Sequence, residues 1–448
     1  MIYTIPPDST WTGHPRASPR TILTPSAGAL PDRLKTANGP LLARGLGRSY
    51  SDVCLNGDGT LILTRTMDRI LEFDPDQGRL RCEAGVTLDK LVACCGPQGW
   101  LPPVMPGTRF VTVGGAIAND VHGKNHPAKG SFGHHVRSLH LLRSNGTVHE
   151  TNRGSEPALF AATLGGLGLT GVILEAELQL EPLMAGEFLV TPEPVRHSSD
   201  IARLFEAAVD DSTSKVIWLD GTADPELLGT GVALLGAPVD ESGMPDSPPR
   251  QWLRPWMFSM VSPFFSRSLV KLHNRYYRWR WTHRKEPRRQ GLYSFLFPLD
   301  AHAGWPRIYG PGGFVQYQCR FPKAHGQEGL DRILSLLASS QLRPYLFVVK
   351  EFGDRKADGM LSFPKEGWTI AMDFPRVGGE LFLLLRQLDR VVMSLDGSLY
   401  PAKDPRMTAE MFEFSFPLLG EFRQYVDPGF SSDFWRRVQE HRSGGDTK

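Results

Sequence analysis

The segment from Pro106 to His126, PGTRFVTVGGAIANDVHGKNH, constrains the fold more than any other stretch of this chain. Gly114 and Gly115 let the backbone approach a neighbouring group closely, and the small residues that follow predict a buried turn of helix. A structural loop rarely needs so many hydrogen-bonding groups beside so many small ones, so we expect a cofactor cradle with catalytic polar groups at its exit. These polar residues are Asn119, Asp120, His122, Lys124, Asn125 and His126.

Length and composition place the chain among ordinary two-domain globular proteins. At 448 residues it exceeds one typical core, and its 41% apolar and 22% charged residues indicate a soluble protein. The net charge of +2 gives no case for a nucleic-acid partner. The 5 cysteines are odd in number and form no CxxC motif. We therefore expect reduced thiols, a cytoplasmic setting and no zinc site.

Two glycine-rich segments outside the first one also carry cofactor signals. RGLGRSYSD (Arg44–Asp52) follows a short apolar run, which predicts a strand ending in a loop. The backbone N–H groups and arginines of this loop could face phosphate, or the segment could be a tight turn with surface arginines. Gly166–Gly171 matches GxGxxG, but a helix precedes it and a strand follows it. This order excludes a nicotinamide-type site, although the glycines could line another cofactor.

Two features of the second half can be interpreted in more than one way. In the alternating strand 313–321, Gln316, Gln318 and Arg320 share one face, and the glutamines suit sugar hydroxyls if that face borders a cavity. Residues 250–289 interleave many Arg and Lys residues with Trp, Tyr and Phe. This composition fits an anionic lipid surface, a lipid-phosphate substrate or single-stranded nucleic acid. It equally fits a surface helix whose arginine stems cover aromatic rings.

Several motifs together point to a family. RGLGRSYSD, Pro106–His126, GSFGHHVRS (Gly130–Ser138) and GGLGLTGVI (Gly165–Ile173) occur in this order. They resemble the FAD-binding domain of the vanillyl-alcohol-oxidase-type flavoproteins and, more closely, the decaprenylphosphoryl-β-D-ribose 2-oxidase family. Segments of the second half resemble the same family, namely YGPGGFVQYQ, LSFPKEGWTIAMDFP and LYPAKDPRMTAE.

The resemblance implies an α+β, two-domain PCMH-type FAD-binding fold. Residues 1–183 and 397–448 would form the FAD-binding domain, and residues 184–396 a substrate domain built on an antiparallel sheet. Covalent members often carry RGxGHS, whose histidine is bonded to the flavin; Arg48 stands at that position here, so we expect non-covalent FAD. The implied cofactor residues are Arg44, Gly45, Leu46, Gly47, Arg48, Ser49, Tyr50, Gly107, Thr112, Val113, Gly114, Gly115, Asn119, Asp120, His122, Gly123, Gly171, Val172, Ile173 and Tyr400.

The implied reaction is oxidation of the C2′ hydroxyl of a polyprenyl-phosphate-linked ribose to the keto sugar. A separate short-chain dehydrogenase/reductase would complete the epimerisation to arabinose. Lys403 would act as base or as electrostatic stabiliser, with His122 near the flavin and Lys124, Gln316 and Gln318 around the sugar. The implied substrate residues are Lys350 near the phosphate, with Thr369, Ala371 and Asp373.

Departures from the family pattern fall on the sugar side. Ala371 stands where actinobacterial members carry a reactive cysteine, Thr369 where they carry asparagine, and Leu296 where a tyrosine is expected. Two alternatives therefore stay open. One is a flavin enzyme acting on a soluble sugar, alditol or aldonolactone. The other is a non-enzymatic membrane or nucleic-acid binding module that uses residues 250–289.

The expected partners are a lipid-linked sugar, the reductase, and quinone or oxygen as electron acceptor. The N-terminus has no apolar core and no apolar run reaches the roughly 18 residues of a membrane span. We thus expect no signal peptide or transmembrane helix. The protein would be cytoplasmic or peripheral on the inner membrane, its periplasmic face included.

Overall fold

The structure is a computed structural model that describes residues 5–37, 39–183, 185–207, 213–239, 267–283, 286–302, 304–376 and 378–439. Residues 250–266, 284 and 285 of the basic, aromatic segment lie outside these ranges. Across the described residues, none of the helices combines the length and the apolar character that a membrane crossing requires. The five cysteines are free.

The first part of the chain forms small sheets. A parallel sheet has the order β1-β3-β2, an antiparallel sheet the order β4-β5-β9-β7-β8, and β6 pairs with β10. The strands are β1 Thr21–Leu23, β2 Leu41–Arg44, β3 Thr60–Leu63, β4 Ile70–Asp74, β5 Arg79–Glu83, β6 Trp100–Leu101, β7 Val136–Leu142, β8 Val148–Asn152, β9 Val172–Gln179 and β10 Glu181–Pro182. The helices are α1 Leu30–Lys35, α2 Leu88–Cys95, α3 Val113–Ala118, α4 His126–Lys129 and α5 Pro157–Thr163.

The second part is built on an eight-stranded antiparallel sheet of order β14-β11-β13-β12-β16-β17-β15-β18. Its strands are β11 Glu187–Val195, β12 Ser214–Leu219, β13 Gly231–Pro238, β14 Arg288–Gly291, β15 Phe314–Phe321, β16 Leu346–Phe352, β17 Gly367–Pro375 and β18 Ser398–Leu399. The remaining helices are α6 Asp200–Glu206, α7 Arg267–His283, α8 Leu292–Leu296, α9 Gly326–Ser339, α10 Gly378–Ser394, α11 Ala409–Ser415, α12 Leu419–Phe422 and α13 Asp433–Gln439. The predicted α+β fold with an antiparallel second sheet is confirmed.

Alternation along the central strands assigns the two faces of this sheet. On one face, Tyr317, Ile370 and Met372 join a large apolar core with the inner sides of α9 and α10. The intervening residues Gln316, Gln318 and Ala371 therefore point to the opposite face. That face is turned toward the loops of the first part of the chain.

Local sequence signals set the helix ends next to the cofactor loops. Threonine side chains cap two helices, since Thr87 accepts a hydrogen bond from Lys90 N and Thr112 accepts one from Gly115 N. The GxGxxG segment lies after α5 and before β9, as predicted. This order confirms that the segment is not a nicotinamide-type fingerprint.

The C-terminal tail packs back onto the first part of the chain. Phe430 lies in an apolar cluster with Leu41 and Ile62, and Arg437 forms an ion pair with Asp52 at 2.8 Å. These contacts carry the polypeptide from the second sheet to the side of the cofactor loops. They agree with the predicted assignment of the tail to the FAD-binding domain, whose boundaries stay a prediction.

Candidate active site

A long cavity lies between the N-terminal loops and the polar face of the eight-stranded sheet. The predicted catalytic residues His122, Gln316, Gln318 and Lys403 line it, as do Lys350 and Ala371. Most predicted cofactor residues line the same cavity, namely Arg44, Gly45, Leu46, Gly47, Arg48, Ser49, Tyr50, Gly107, Thr112, Gly114, Gly115, Asn119, Gly171, Ile173 and Tyr400.

The glycines of this lining are required by close approaches between loops. A Cβ atom at Gly45 would lie 2.2 Å from Oγ1 of Thr112, the residue that caps α3. A Cβ at Gly114 would lie 2.9 Å from that of Ala84. Gly45 lets the loop after β2 meet the start of α3, and Gly114 lets α3 approach Ala84, which follows β5, so these backbones form one wall of the cavity.

The cavity fits FAD. Asn119 Oδ1 and His122 Nδ1 are buried polar atoms on its lining for which the described residues supply no hydrogen-bond partner. Buried polar atoms are normally satisfied, so these two point to a ligand with hydrogen-bonding groups. Gly168 and Gly171 of the GxGxxG segment also line the cavity, with φ of 74° and 140°. The expectation that these glycines could serve another cofactor is consistent with this position.

Some predicted cofactor residues lie behind the lining. The carboxylate of Asp120 accepts hydrogen bonds from Gly133 N and from the hydroxyls of Ser131 and Ser362. Its backbone has φ of 39°, which turns the chain sharply between Asn119 and Val121. Asp120 therefore positions the cofactor loop without touching the cavity. Val113, Gly123 and Val172 are likewise buried behind it.

The two arginines of RGLGRSYSD have different environments. The Arg44 guanidinium donates hydrogen bonds to the carbonyls of Pro6, Pro7, Ser9 and Cys54. Backbone carbonyls, three of them from the N-terminal segment, thus engage the Arg44 guanidinium, and the suggestion that a guanidinium of this loop faces phosphate stays a prediction. Arg48 Nε donates to Phe110 O at 3.0 Å, and its guanidinium lies 4.1 Å from the centre of the Trp11 ring.

Cross-strand register builds the opposite wall of the cavity. Gln316 pairs with Asp373 and then Leu346, and Gln318 pairs with Ala371 and then Val348. Residues at paired positions share a face, so each row presents polar and apolar groups side by side. The glutamines thus border a cavity, which was the condition for a role toward sugar hydroxyls.

Hydrogen bonds tie this wall to the cofactor loop. Gln316 donates to Oδ1 of Asp373, a fully buried carboxylate whose Oδ2 has no partner among the described residues. Gln318 Nε2 lies 3.1 Å from Thr369 Oγ1 and 3.3 Å from His122 Nε2. Thr369 and Asp373 are thus placed beneath the lining, where they hold the two glutamines.

Lysines give this end of the cavity its electrostatic character. Burial lowers the pKa of Lys124 to about 7 and that of Lys350 to about 8. The pKa of Lys403 is lowered by burial and by Lys350, whereas Asp373 opposes the shift. Burial also raises the pKa of the Asp373 carboxyl. Together, these shifts describe a buried cluster of lysines beside one buried carboxyl group, in which burial weakens the ionisation of each.

Aromatic residues contact two of the lysines and the histidine, through their rings or, for Lys124, through a backbone carbonyl. The Lys403 amino group lies 3.4 Å from the centre of the Tyr50 ring, and that of Lys124 donates to Phe295 O. Lys124 does not itself line the cavity. His122 is buried against Phe352 at 4.7 Å between ring centres, and burial holds its pKa well below the usual range. His122 is therefore neutral at pH 7.

Sequence reasoning missed part of the apolar lining. Leu346 and Val348 alternate with buried residues along β16, a signal that could have placed them beside Lys350. Trp11 lies in a Pro- and Thr-rich segment that carries no comparable pattern. Leu299 and Trp305 are further apolar residues of the lining, and Asp300 adds a carboxylate to it.

Comparisons with known proteins decide the family. Residues 29–152 match the FAD binding domain family. The chain is 37% identical over 415 residues to the decaprenylphosphoryl-beta-D-ribose oxidase of Mycolicibacterium smegmatis, a match that covers 89% of each protein. The chain belongs to the decaprenylphosphoryl-β-D-ribose oxidase family.

This membership confirms the predicted family, the FAD cofactor and the class of FAD-dependent oxidoreductases. An uncharacterised protein of Streptomyces coelicolor is 35% identical over 387 residues, which cover 79% of this chain and all of that protein. Mouse L-gulonolactone oxidase is 34% identical over 140 residues, or 31% of each chain. The similarity between this chain and L-gulonolactone oxidase thus spans less than a third of either protein.

Proposed function

We propose that this enzyme oxidises the C2′ hydroxyl of a polyprenyl-phosphate-linked ribose to the keto sugar. A separate short-chain dehydrogenase/reductase then reduces the ketone, so that the pair epimerises ribose to arabinose for cell-envelope polysaccharide. The match to a decaprenylphosphoryl-ribose oxidase over 89% of the chain supports this substrate. The lysine-rich end of the cavity supports it independently.

The composition of the cavity is the observation that carries the proposal. Lys350 and Lys403 line it beside Gln316 and Gln318, and Lys124 lies close enough for its pKa to be lowered by Lys350. Partly desolvated lysines repel each other, so an anion between them is stabilised strongly. Apolar residues of the same cavity, Leu299, Trp305, Leu346 and Val348, suit the start of a prenyl chain.

Each polar residue has a role in this proposal. Lys350 binds the phosphate, and the Gln316 and Gln318 amides bind sugar hydroxyls. Lys124, expected near the sugar, contributes its charge from behind the cavity lining. Lys403 takes the proton of the reacting hydroxyl, or holds the developing alkoxide if it stays charged. The chemistry that bound FAD would supply is acceptance of the hydride of the carbinol carbon. The glycine loops, Asn119, His122 and Tyr400 would hold FAD, without a covalent bond.

An anaerobic titration of the holoenzyme tests the proposal. Lipid-linked phosphoribose should bleach the flavin absorbance, whereas ribitol, other lipid-free polyols and aldonolactones should not. Bleaching by the lipid-free compounds alone would instead establish the alternative, an enzyme for a soluble sugar, alditol or aldonolactone. Following reoxidation with a quinone or with oxygen identifies the electron acceptor.

A lysine substitution separates phosphate binding from chemistry. Lys350→Met should raise the substrate concentration needed for half-maximal flavin reduction by tenfold or more, on the order expected for a lost charge-assisted hydrogen bond. Lys35→Met removes an exposed lysine of α1 and should change nothing. Equal substrate affinity in Lys350→Met and in the wild type would contradict the phosphate role.

A further inference from the structure

Helix α7 (Arg267–His283) carries a second apolar face that the other described residues leave exposed. Its inner face packs on the sheet through Val270, Asn274 and Tyr277, and the Tyr277 ring lies 4.8 Å from that of Trp218. On the opposite side, Leu272, Tyr276 and Trp279 are 64%, 55% and 51% exposed. A surface helix needs only one apolar stripe to pack on its domain, so this outer stripe calls for a separate explanation.

Positive charge accompanies the outer stripe. The sequence of α7, RSLVKLHNRYYRWRWTH, has no acidic residue, and its cations are Arg267, Lys271, Arg275, Arg278 and Arg280. Lys271 and Arg278 turn toward the domain, where they reach Asp224 and the Thr230 hydroxyl. Arg275 and Arg280 are exposed beside the stripe. Apolar and aromatic residues flanked by arginine are the pattern of a helix that lies in the interface of an anionic bilayer.

The register of the sheet places α7 on the same side of the molecule as the cavity. Trp218 of β12 pairs with Val348 of β16, which pairs with Ala371 of β17. Val348 and Ala371 line the cavity, so the ring under α7 and the cavity wall belong to one face of the sheet.

Hydrogen bonds fix the helix next to the cavity wall. Asn274 Nδ2 donates to Tyr345 O at 3.3 Å, and Arg267 donates to Gln341 O at 2.9 Å. Tyr345 directly precedes Leu346, which lines the cavity. A membrane lying on the outer stripe would therefore be on the side of the molecule where the substrate binds.

We propose that Leu272, Tyr276 and Trp279 dock α7 onto an anionic lipid bilayer, with Arg275 and Arg280 contacting lipid phosphates. This docking rests on the proposed function in one respect: it would bring the enzyme to a lipid-linked substrate that is held in the membrane. The peripheral membrane contact expected for residues 250–289 would then lie on the outer stripe of α7. The charge of α7 favours anionic over zwitterionic lipid.

Sedimentation with vesicles tests the docking, using the FAD-loaded full chain. The wild type should pellet with vesicles of phosphatidylcholine and phosphatidylglycerol, and much less with phosphatidylcholine alone. Leu272→Glu should weaken binding about tenfold, because it places a charge in the apolar stripe. Leu383→Glu is the matched control, since Leu383 is a 56% exposed leucine on α10, which covers the other face of the sheet.

The outcomes are decisive. Equal vesicle binding by Leu272→Glu and Leu383→Glu, or no binding by the wild type, would overturn the proposal. A vesicle-free dimer that Leu272→Glu dissociates, without any wild-type vesicle binding, would make the stripe a protein interface and also overturn it. Flavin content and bleaching by a water-soluble short-chain phosphoribose should be unchanged in Leu272→Glu. If no phosphoribose bleaches any variant while vesicle binding holds, the proposed function fails and the docking stands.

Discussion

Gln318 Nε2 lies 3.3 Å from His122 Nε2 and thereby joins the second sheet to the cofactor loop. If the amide donates this hydrogen bond, the ring proton resides on Nδ1, the buried atom without a partner among the described residues. Because burial lowers the pKa of His122 well below its usual value, the ring is a neutral donor toward the cavity.

This relationship predicts how a His122→Ala enzyme behaves. Flavin reduction by substrate should slow about a hundredfold, the loss expected for one preorganised donor, while the pH midpoint stays in place. Stopped-flow measurement of the reduction rate between pH 5 and 9 checks both parts. Disappearance of a pH transition near 6 in the variant would show that His122 titrates, contrary to the prediction.

Lys403 is predicted to act on the hydroxyl proton. Lys403→Met should retain FAD and reduce it roughly 10² to 10⁴ times more slowly, the usual range for a lost general base. Lys403→Arg decides between the two roles, because arginine keeps the charge but cannot accept a proton at these pH values. Failure of arginine to restore any rate supports the base, and partial restoration supports electrostatic stabilisation. Normal turnover of Lys403→Met would remove this residue from the mechanism.

The pH dependence should report the pairing of Lys403 with Asp373. Burial lowers the pKa of Lys403, so the neutral amine accumulates as pH rises. With Lys403 as the base, the reduction rate should rise through its pKa, near neutral pH, and with Lys403 as electrostatic stabiliser it should fall there. The Asp373 carboxylate raises that pKa, so Asp373→Asn should move this transition to lower pH. Asp331→Asn, on α9, serves as the control and should leave the profile in place. A shift to higher pH in Asp373→Asn would contradict the pairing.

Local patterns were enough to predict which loops come together on the glycine-rich side of the cavity. The Gly114–Gly115 pair, its capping threonine and the polar residues after it are contiguous, so their proximity needs no knowledge of the fold. The alternation of β15 likewise put Gln316 and Gln318 on one face. Which side that face borders could be settled only by the partner strands.

The rest of the site depends on contacts between distant residues. Lys403, Lys350 and Lys124 lie far apart in sequence, and nothing local to any of them indicates that their charges meet. At Arg44, the local motif suggested a contact with phosphate, but the guanidinium donates to the carbonyls of residues 6, 7 and 9, which are distant in sequence. Long-range packing decides such cases. For the same reason, Trp11 could not be placed on the cavity from its sequence context.

The glycine requirement at the cofactor loop predicts a specific loss of FAD. Gly45→Ala places a Cβ against Thr112 Oγ1, so the loop and the start of α3 must separate. We expect FAD affinity to fall at least about tenfold, measured by fluorescence titration of the apoprotein. Gly28→Ala is the matched control, because a Cβ there meets no atom within 4 Å. Equal FAD affinity in the two variants would show that the contact between these loops does not shape the site.

FAD should leave the denatured polypeptide completely. The position at which covalent relatives carry the tethering histidine is Arg48, which donates through Nε to Phe110 O and packs its guanidinium on Trp11. Arginine forms no flavin bond, so we expect only non-covalent contacts to retain the cofactor. Acid precipitation of the holoenzyme should leave all flavin absorbance in the supernatant, and a denaturing gel should show no fluorescent band at the chain's mass. Fluorescence that migrates with the polypeptide would demonstrate a tether at another residue and overturn the prediction.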